Sequence, residues 1–324
     1  MKTPVVVGID LGGTNVRLAL VNSEGEILSR QEWTTASMGE QADLVSTLAG
    51  YLTKAGEAAR SEDWEIRGVG LGVPGRVLPR KGWVEFSPNI PALKECPLVE
   101  RLAAQVPWPL FLENDANLFA LGEHWLGAGV GHQHMLGITL GTGVGGGLIL
   151  DGRLWIGAEG SAGEIGHLTV DPEGRRCHCG NRGCLETMAA ASWTVVWVKE
   201  QLAQGASSWL RELYETDPDA IQGKTLVTAA LHRDPLARRA FDRVGHSLGQ
   251  AIAGVVHLLG LSRVVIGGRF ARAWEVFQYP LEEELHRRLT MVPPEAVSVC
   301  PARLEDDAGL IGAARLAWLA RGEK

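Results

Sequence analysis

Between Glu164 and Glu186 runs EIGHLTVDPEGRRCHCGNRGCLE, in which Cys177, Cys179 and Cys184 fall within eight residues and His167 stands ten residues ahead of Cys177. Three thiolates and one imidazole make the four-coordinate set that zinc takes in closed structural sites. His178, between two of the cysteines, is a second candidate for the imidazole, and spacing alone leaves the choice open. A catalytic zinc keeps a position for water, which a thiolate-rich sphere suits poorly. A disulfide would strand one of the three thiols. Five cysteines in 324 residues do not make a disulfide framework either, and they favour a reducing, cytoplasmic setting. Glu164-x-x-His167 also matches half of a di-iron carboxylate motif, but that motif needs two such pairs on facing helices. Only one is present, with Gly166 inside it. Cys96 and Cys300 lie far from the cluster and read as small buried or half-buried side chains.

A second kind of chemistry belongs to two glycine-rich turns. Residues 5–21, VVVGIDLGGTNVRLALV, read as strand, turn, strand, and residues 135–150, MLGITLGTGVGGGLIL, repeat the pattern. Gly141 to Gly146 satisfy G-x-G-x-x-G, yet the dinucleotide fingerprint opens a helix and this run opens a strand. The P-loop pattern fails as well, because no lysine follows the glycines of GIDLGGT. A turn of glycine and threonine still offers backbone N–H groups to an anion without a side chain in the way. Gly12 and Gly13 on one turn, with Gly141 and Gly143 on the other, could hold the phosphates of one nucleotide from two sides. Thr14, Asn15 and Thr142 would add side-chain donors. Asp10, at the end of its strand, would orient magnesium through water, since that ion keeps much of its hydration. The third constellation is LENDAN, which puts Glu113, Asn114 and Asp115 at a strand end before a helix, where open α/β folds place their ligands. Asn114 or Asp115 would cap that helix, and capping alone needs no chemistry.

The elements that must carry these residues follow from periodicity. Gly8-Ile9-Asp10-Leu11-Gly12 aligns with Gly137-Ile138-Thr139-Leu140-Gly141, and each copy continues into a hairpin turn, NSEGE at 22–26 and DGR at 151–153. Two such copies half a chain apart indicate a duplicated α/β domain. Helical spacing is predicted over 39–59, near 95–105, after Asp115, through much of 186–260 and in the capped ending DDAGLIGAARLAWLA; strands are predicted at IRGVGLGV, WPLFLEND and SRVVIGG. A chain of 324 residues, 45% hydrophobic and 21% charged, suits a globular protein of two domains. Its net charge of −7 argues against a nucleic-acid partner, and no apolar run approaches a membrane span or a signal peptide.

GIDLGGTNVR, ENDAN, LGTGVGGGLI and GEIGH…CHCGNRGCLE, in that order, resemble the ROK family of sugar kinases and sugar-responsive repressors, and most closely its bacterial glucokinase branch. The resemblance runs through the DDAGLIGAA ending. It implies a duplicated actin-like, hexokinase-like (ribonuclease H-like) ATPase fold with a cleft between two domains. Residues 1–118, joined by a C-terminal helix at 303–324, would form the small domain, and 119–302 the large one. It implies ATP with Mg²⁺ as phosphoryl donor system, glucose as acceptor at its 6-hydroxyl, and Asp115 as general base. Fructose, mannose or an N-acetylhexosamine as acceptor, polyphosphate as donor, and a non-catalytic sugar-binding regulator are the alternatives. Asn89, Asn114, Glu164, His167 and Glu186 would contact the sugar, and Gly267-Gly268 would form the adenosine turn, followed here by Arg269 where the family often has a small residue. His167 would be the zinc ligand with Cys177, Cys179 and Cys184, one ring nitrogen on the metal and the other toward the sugar. Such a clip fixes Glu164 relative to Glu186, so its loss is expected to harm sugar recognition first and nucleotide binding little. The family's repressors carry an N-terminal helix-turn-helix, for which a first turn beginning at residue 8 leaves no room. A homodimer or homotetramer is the implied assembly.

Overall fold

The computed structural model describes residues 2–38 and 41–322. The first sheet contains β1 (Thr3–Leu11), β2 (Asn15–Val21), β3 (Ile27–Thr34), β4 (Trp64–Val73) and, after a small hairpin of β5 (Arg76–Leu78) and β6 (Trp83–Phe86), β7 (Leu110–Asn114). Its order is β3-β2-β1-β4-β7. The second sheet contains β8 (Met135–Leu140), β9 (Val144–Leu150), β10 (Arg153–Trp155), β11 (Arg263–Gly267) and β12 (Ser298–Pro301), in the order β10-β9-β8-β11-β12. Each sheet has three antiparallel strands followed by two parallel ones. The echo in the sequence is therefore a repeat of topology, strand for strand. The two glycine turns occupy the same place in each copy, between the first and second strands.

β1 shows how the sheet places its site residue. Val5, Val7, Ile9 and Leu11 pack into the core on one face, which also takes Leu44, Leu48 and Leu52 of α1 (Gln41–Ser61). Side chains alternate along a strand, so Val6, Gly8 and Asp10 point to the other face. There Gly8 gives room for the backbone of α10 (Ala308–Ala320), and a Cβ built on Gly309 in that helix would stand about 3.5 Å from the Asp10 carboxylate. Asp10 is thus the last residue on this face before the turn.

The remaining helices are α2 (Leu98–Ala103), α3 (Asp115–Leu126), α4 (Glu186–Ala189), α5 (Ala191–Ala203), α6 (Leu210–Thr216), α7 (Gly223–Leu231), α8 (Pro235–Leu259) and α9 (Trp274–Arg288). Most of the helices after residue 186 bury their apolar faces in one cluster on the second sheet, centred on Phe241, Leu248, Ile252, Phe277 and Leu281. α3 and α10 form the joint between the sheets. α10 packs on β1 and β4 and crosses α3, and α3 packs on β8 and β9. The division expected at residue 118 falls inside α3. Gly137, Gly145 and Gly147 each lie against Ala116 or Ala120 of α3, so much of the GVGGG run serves helix packing rather than anion binding. Asp307 stands at the N-cap of α10 as expected, but makes no capping bond; its carboxylate pairs with Arg30 at 2.7 Å. Residues 39–40 of the first expected helix and 323–324 of the last lie outside the described residues. No described helix is long and apolar enough to cross a membrane.

Candidate active site

The first turn is closed by Gly12 N donating to the Asn15 carbonyl at 2.9 Å, and braced when Thr35 Oγ1 donates to the Gly12 carbonyl at 2.6 Å. Gly13 and Thr14 are left exposed at its tip. Gly13 abuts Asn89, where a Cβ would stand 2.8 Å from the Asn89 Cβ. The Asn15 side chain, expected as a phosphate donor, gives its amide to Glu32 Oε1 at 2.7 Å. The second turn is closed in the same way, Gly141 N to the Gly143 carbonyl at 3.0 Å, and leaves the Thr142 side chain exposed. Gly268, with φ +92°, packs on the backbone of Leu140 beside this turn, and Gly267 ends β11 against Phe119. A Cβ at Gly141 would meet nothing within 4 Å. Gly141→Val is therefore expected to fold normally and to raise KM for ATP at least tenfold with a smaller effect on KM for sugar, because the added side chain blocks backbone approach. Steady-state kinetics with each substrate varied in turn checks this.

β7 and α3 deliver LENDAN. Glu113 is 2% exposed, and its Oε1 accepts from Asn114 N at 2.8 Å and from Asn117 Nδ2 at 2.9 Å. Burial holds its carboxyl above the usual range. Its part is to fix the strand end. The cap of α3 is Asn114, whose Oδ1 accepts from Ala116 N at 2.8 Å and Asn117 N at 3.1 Å, while Nδ2 donates to the Gly75 carbonyl at 2.9 Å. Its acceptor is committed, so toward an incoming hydroxyl only donation by the second amide hydrogen is left. That frees Asp115, the first helical residue, from capping duty. Its Oδ1 accepts from Ala116 N at 2.9 Å.

Asp115 lies half-buried at the junction of β7 and α3. Burial, then the nearby charges of Asp10 and Glu164, push its carboxyl up to about 6, against the backbone hydrogen bond from Ala116. Burial also raises Asp10, although Arg17 opposes this by donating Nη2 to Asp10 Oδ2 at 2.6 Å. Arg17 donates from Nη1 to the Asp306 carbonyl as well, so it ties the first turn to the start of α10. The sequence reading missed this residue. The signal was present, since Asp10 and Arg17 face each other across the β1–β2 hairpin. Glu164 is raised by burial, with His167 opposing and Glu186 reinforcing. Asp115 thus sits where the charges of both Asp10 and Glu164 disfavour its ionised form.

The cysteine segment folds back on itself. Val170 and Asp171 N–H both donate to the Gly183 carbonyl, and Cys177 N donates to the Asn181 carbonyl. Arg175 pairs with Glu200 of α5 and holds the loop on that helix. The ligand atoms of His167, Cys177, Cys179 and Cys184 all lie within 4.8 Å of one another. Cys179 Sγ and Cys184 Sγ are 3.7 Å apart, and Cys177 Sγ is 3.8 Å from His167 Nδ1. A tetrahedral site with Zn–S arms of about 2.3 Å puts sulfurs roughly 3.8 Å apart, whereas a disulfide needs about 2.05 Å. All five cysteines are free. Burial and the neighbouring thiols push Cys184 up to about 12, so three thiolates could not coexist here without a cation. The set fits zinc. His178 is outside it and packs on Trp193, ring centroids 5.1 Å apart. His178→Ala is expected to retain bound zinc at about one per chain by elemental analysis, the usual count for a closed Cys3His site. His167 has its other nitrogen, Nε2, 4.0 Å from Glu164 Oε2.

Two sheets of one topology, joined by α3 and α10 and each with a glycine turn between its first two strands, are the two-domain actin-like ATPase fold. Solved structures of the same shape include a ROK hexokinase from Thermus thermophilus, 34% identical with TM-score 0.82 over 98% of this chain and 99% of that one. Another is a ROK family glucokinase from Streptomyces griseus in complex with glucose and AMPPNP, 33% identical with TM-score 0.80 over 97% and 99%. A glucokinase of Thermotoga maritima is 37% identical over 314 residues, 96% of each chain. The ROK family model matches residues 6–320, and the chain belongs to the ROK family.

Proposed function

We propose that the protein is an ATP-dependent glucokinase, transferring the terminal phosphoryl group of ATP to the 6-hydroxyl of glucose. The observation that carries the reading is Asp115, a carboxylate released from capping and raised to about 6 between Asp10 and Glu164. Phosphoryl transfer needs a positioned acceptor for the hydroxyl proton, and a base near the working pH serves best. The 6-oxygen forms its bond to phosphorus, the bond from that phosphorus to the bridging oxygen breaks, ADP leaves, and the proton passes to Asp115. Gly13 and Thr14 on one side, with Thr142 and Gly143 on the other, hold the phosphates through backbone and hydroxyl donors, while Gly12 and Gly141, whose N–H groups close the turns, leave the approach clear of side chains. Gly267 and Gly268 border the space for the base. Asn89, Asn114, Glu164, His167 and Glu186 orient the sugar, and the Cys3His set holds structural zinc. Magnesium, with Asp10 as its carboxylate, would neutralise phosphate charge.

The similarity to glucokinases over nearly the full chain supports glucose over other hexoses. The two sheets, each with its own core, support the division into 1–118 with the C-terminal helix and 119–302. The alternative is a sugar-binding regulator, since a ROK family transcriptional regulator matches with TM-score 0.87 at 27% identity over 97% of this chain and 78% of its own. A panel of glucose, fructose, mannose and N-acetylhexosamines with ATP and with polyphosphate, read as kcat/KM, tests the assignment. Glucose with ATP is expected to give the largest value. Sugar binding without turnover for any pair would leave the regulator.

A further inference from the structure

Glu186 is the first residue of α4, two residues beyond Cys184, and its carboxylate reaches the second glycine turn. Oε2 accepts a hydrogen bond from the backbone N–H of Val144 at 3.1 Å. A Cβ built on Gly143 would stand 2.6 Å from that same oxygen, so the carboxylate lies directly over the turn. Oε1 faces the cysteine segment, 3.8 Å from Cys177 Sγ. The turn is fastened to the same stretch of chain twice more. Ala191 N donates to the Gly141 carbonyl at 2.9 Å, and Ser192 Oγ donates to the Thr142 carbonyl at 2.6 Å.

These contacts differ in kind. The Ala191 and Ser192 bonds fall on carbonyl oxygens, which an anion does not want, and they leave the turn's N–H groups alone. The Glu186 bond takes an N–H, the group through which such a turn binds an anion. A carboxylate therefore already occupies a donor suited to phosphate. Two anions cannot share it, and their mutual repulsion sharpens the competition.

We propose that Glu186 is a positioning residue that links the two substrates: in the ligand-free protein its carboxylate occupies the Val144 N–H, and hexose hydroxyls draw it away, opening that donor to the terminal phosphate of the nucleotide. The inference rests on the glucokinase reading, in which Glu186 contacts sugar. Sugar thereby favours nucleotide seating, and linkage requires that nucleotide favour sugar by the same factor. It also disfavours ATP hydrolysis without sugar, because the phosphate is not fully held until the acceptor is present.

A purely structural role for the Glu186–Val144 bond predicts the opposite sign for truncation, which makes the test sharp. Calorimetry with AMPPNP, with and without saturating glucose, is run on wild type, Glu186→Ala and Glu186→Asp; aspartate keeps the charge on a shorter arm. Glucose is expected to tighten AMPPNP on the order of tenfold in the wild type, inside the usual range of coupling. In both variants sugar-free AMPPNP affinity is expected to rise toward the wild-type value with glucose, and the glucose effect to fall to about twofold or less. Weaker sugar-free AMPPNP binding in the variants, or an unchanged glucose effect, overturns the proposal. The unmodified protein gives a second readout, the Val144 amide proton in a ¹⁵N–¹H spectrum. It is expected to move upfield on adding glucose as its carboxylate bond is lost, and a resonance unmoved by saturating glucose overturns the proposal without any variant. Wild type that binds AMPPNP but no hexose would overturn the kinase reading itself. Wild type that binds both, with variants of unchanged coupling, overturns only the role of Glu186.

Discussion

Asp115→Asn is expected to lower kcat for glucose phosphorylation by about 10²- to 10⁴-fold, the usual scale for removing a general base. Asparagine has nearly the same volume, and its Oδ1 can still accept from Ala116 N, which donates to Asp115 at 2.9 Å. The fold and glucose affinity should therefore persist, and calorimetry of glucose binding provides the control. The pH dependence carries a second signature. A base acts when deprotonated, and the Asp115 carboxyl sits at about 6. In the wild type kcat/KM should fall about tenfold per pH unit below that value and level off above it. The asparagine variant should lose that limb.

Stability should move the other way. A carboxyl raised from 3.8 to about 6 favours the folded state when protonated. That contribution is fully present below the unfolded value and is lost as pH rises through the folded one. At pH 8 the native chain holds an unfavourable carboxylate in the cleft. Asp115→Asn is therefore expected to raise Tm at pH 8, with the gain shrinking toward pH 4, as differential scanning calorimetry would record. A variant less stable at pH 8 would mean that Asp115 serves the fold rather than the chemistry.

Cys184→Ser should give the next largest effect. Cys184 is fully buried, its Sγ 3.7 Å from that of Cys179. Serine removes a thiolate from the tetrahedral set, and structural zinc contributes directly to local folding energy. Bound zinc should fall well below one per chain, and segment 164–186 should become sensitive to limited proteolysis. KM for glucose should rise roughly 10- to 100-fold, the range seen when a metal site's supporting shell is disturbed. From the sequence alone, nucleotide binding is expected to be spared, because the glycine turns lie elsewhere in the chain. The bonds from Ala191 and Ser192 to the second turn change that expectation. α4 and α5 follow directly on the cysteines, so ATP affinity should weaken too, by a smaller factor. Active, freshly purified protein without zinc would remove the clip from the account.

What could be read without coordinates was whatever is local in the chain. The strand–turn–strand echo, the strand ending at Asn114, and the spacing of Cys177, Cys179 and Cys184 each follow from neighbours in sequence, and each reappears in the fold. What could not be read depends on partners brought together by topology. Asp307 looks like a cap by position, but β3 brings Arg30 to it. Asn15 looks like a phosphate donor until the β2–β3 hairpin brings Glu32 beside it. Gly145 and Gly147 continue the glycine run without a visible reason, because the alanines they pack on belong to α3. The choice between His167 and His178 was equally out of reach, because it depends on how the loop closes and on Trp193 holding the second ring.

The most direct test follows the phosphorus itself. The protein is incubated with glucose, ATP and magnesium, and the reaction is monitored by ³¹P NMR, with Asp115→Asn alongside. The expected result is loss of the γ-phosphate resonance with matching growth of a phosphomonoester coupled to the C6 protons of glucose, and near silence from the variant. Release of inorganic phosphate alone, phosphorylation at another hydroxyl, or an equally active Asp115→Asn would contradict the assignment of a glucokinase with Asp115 as its base.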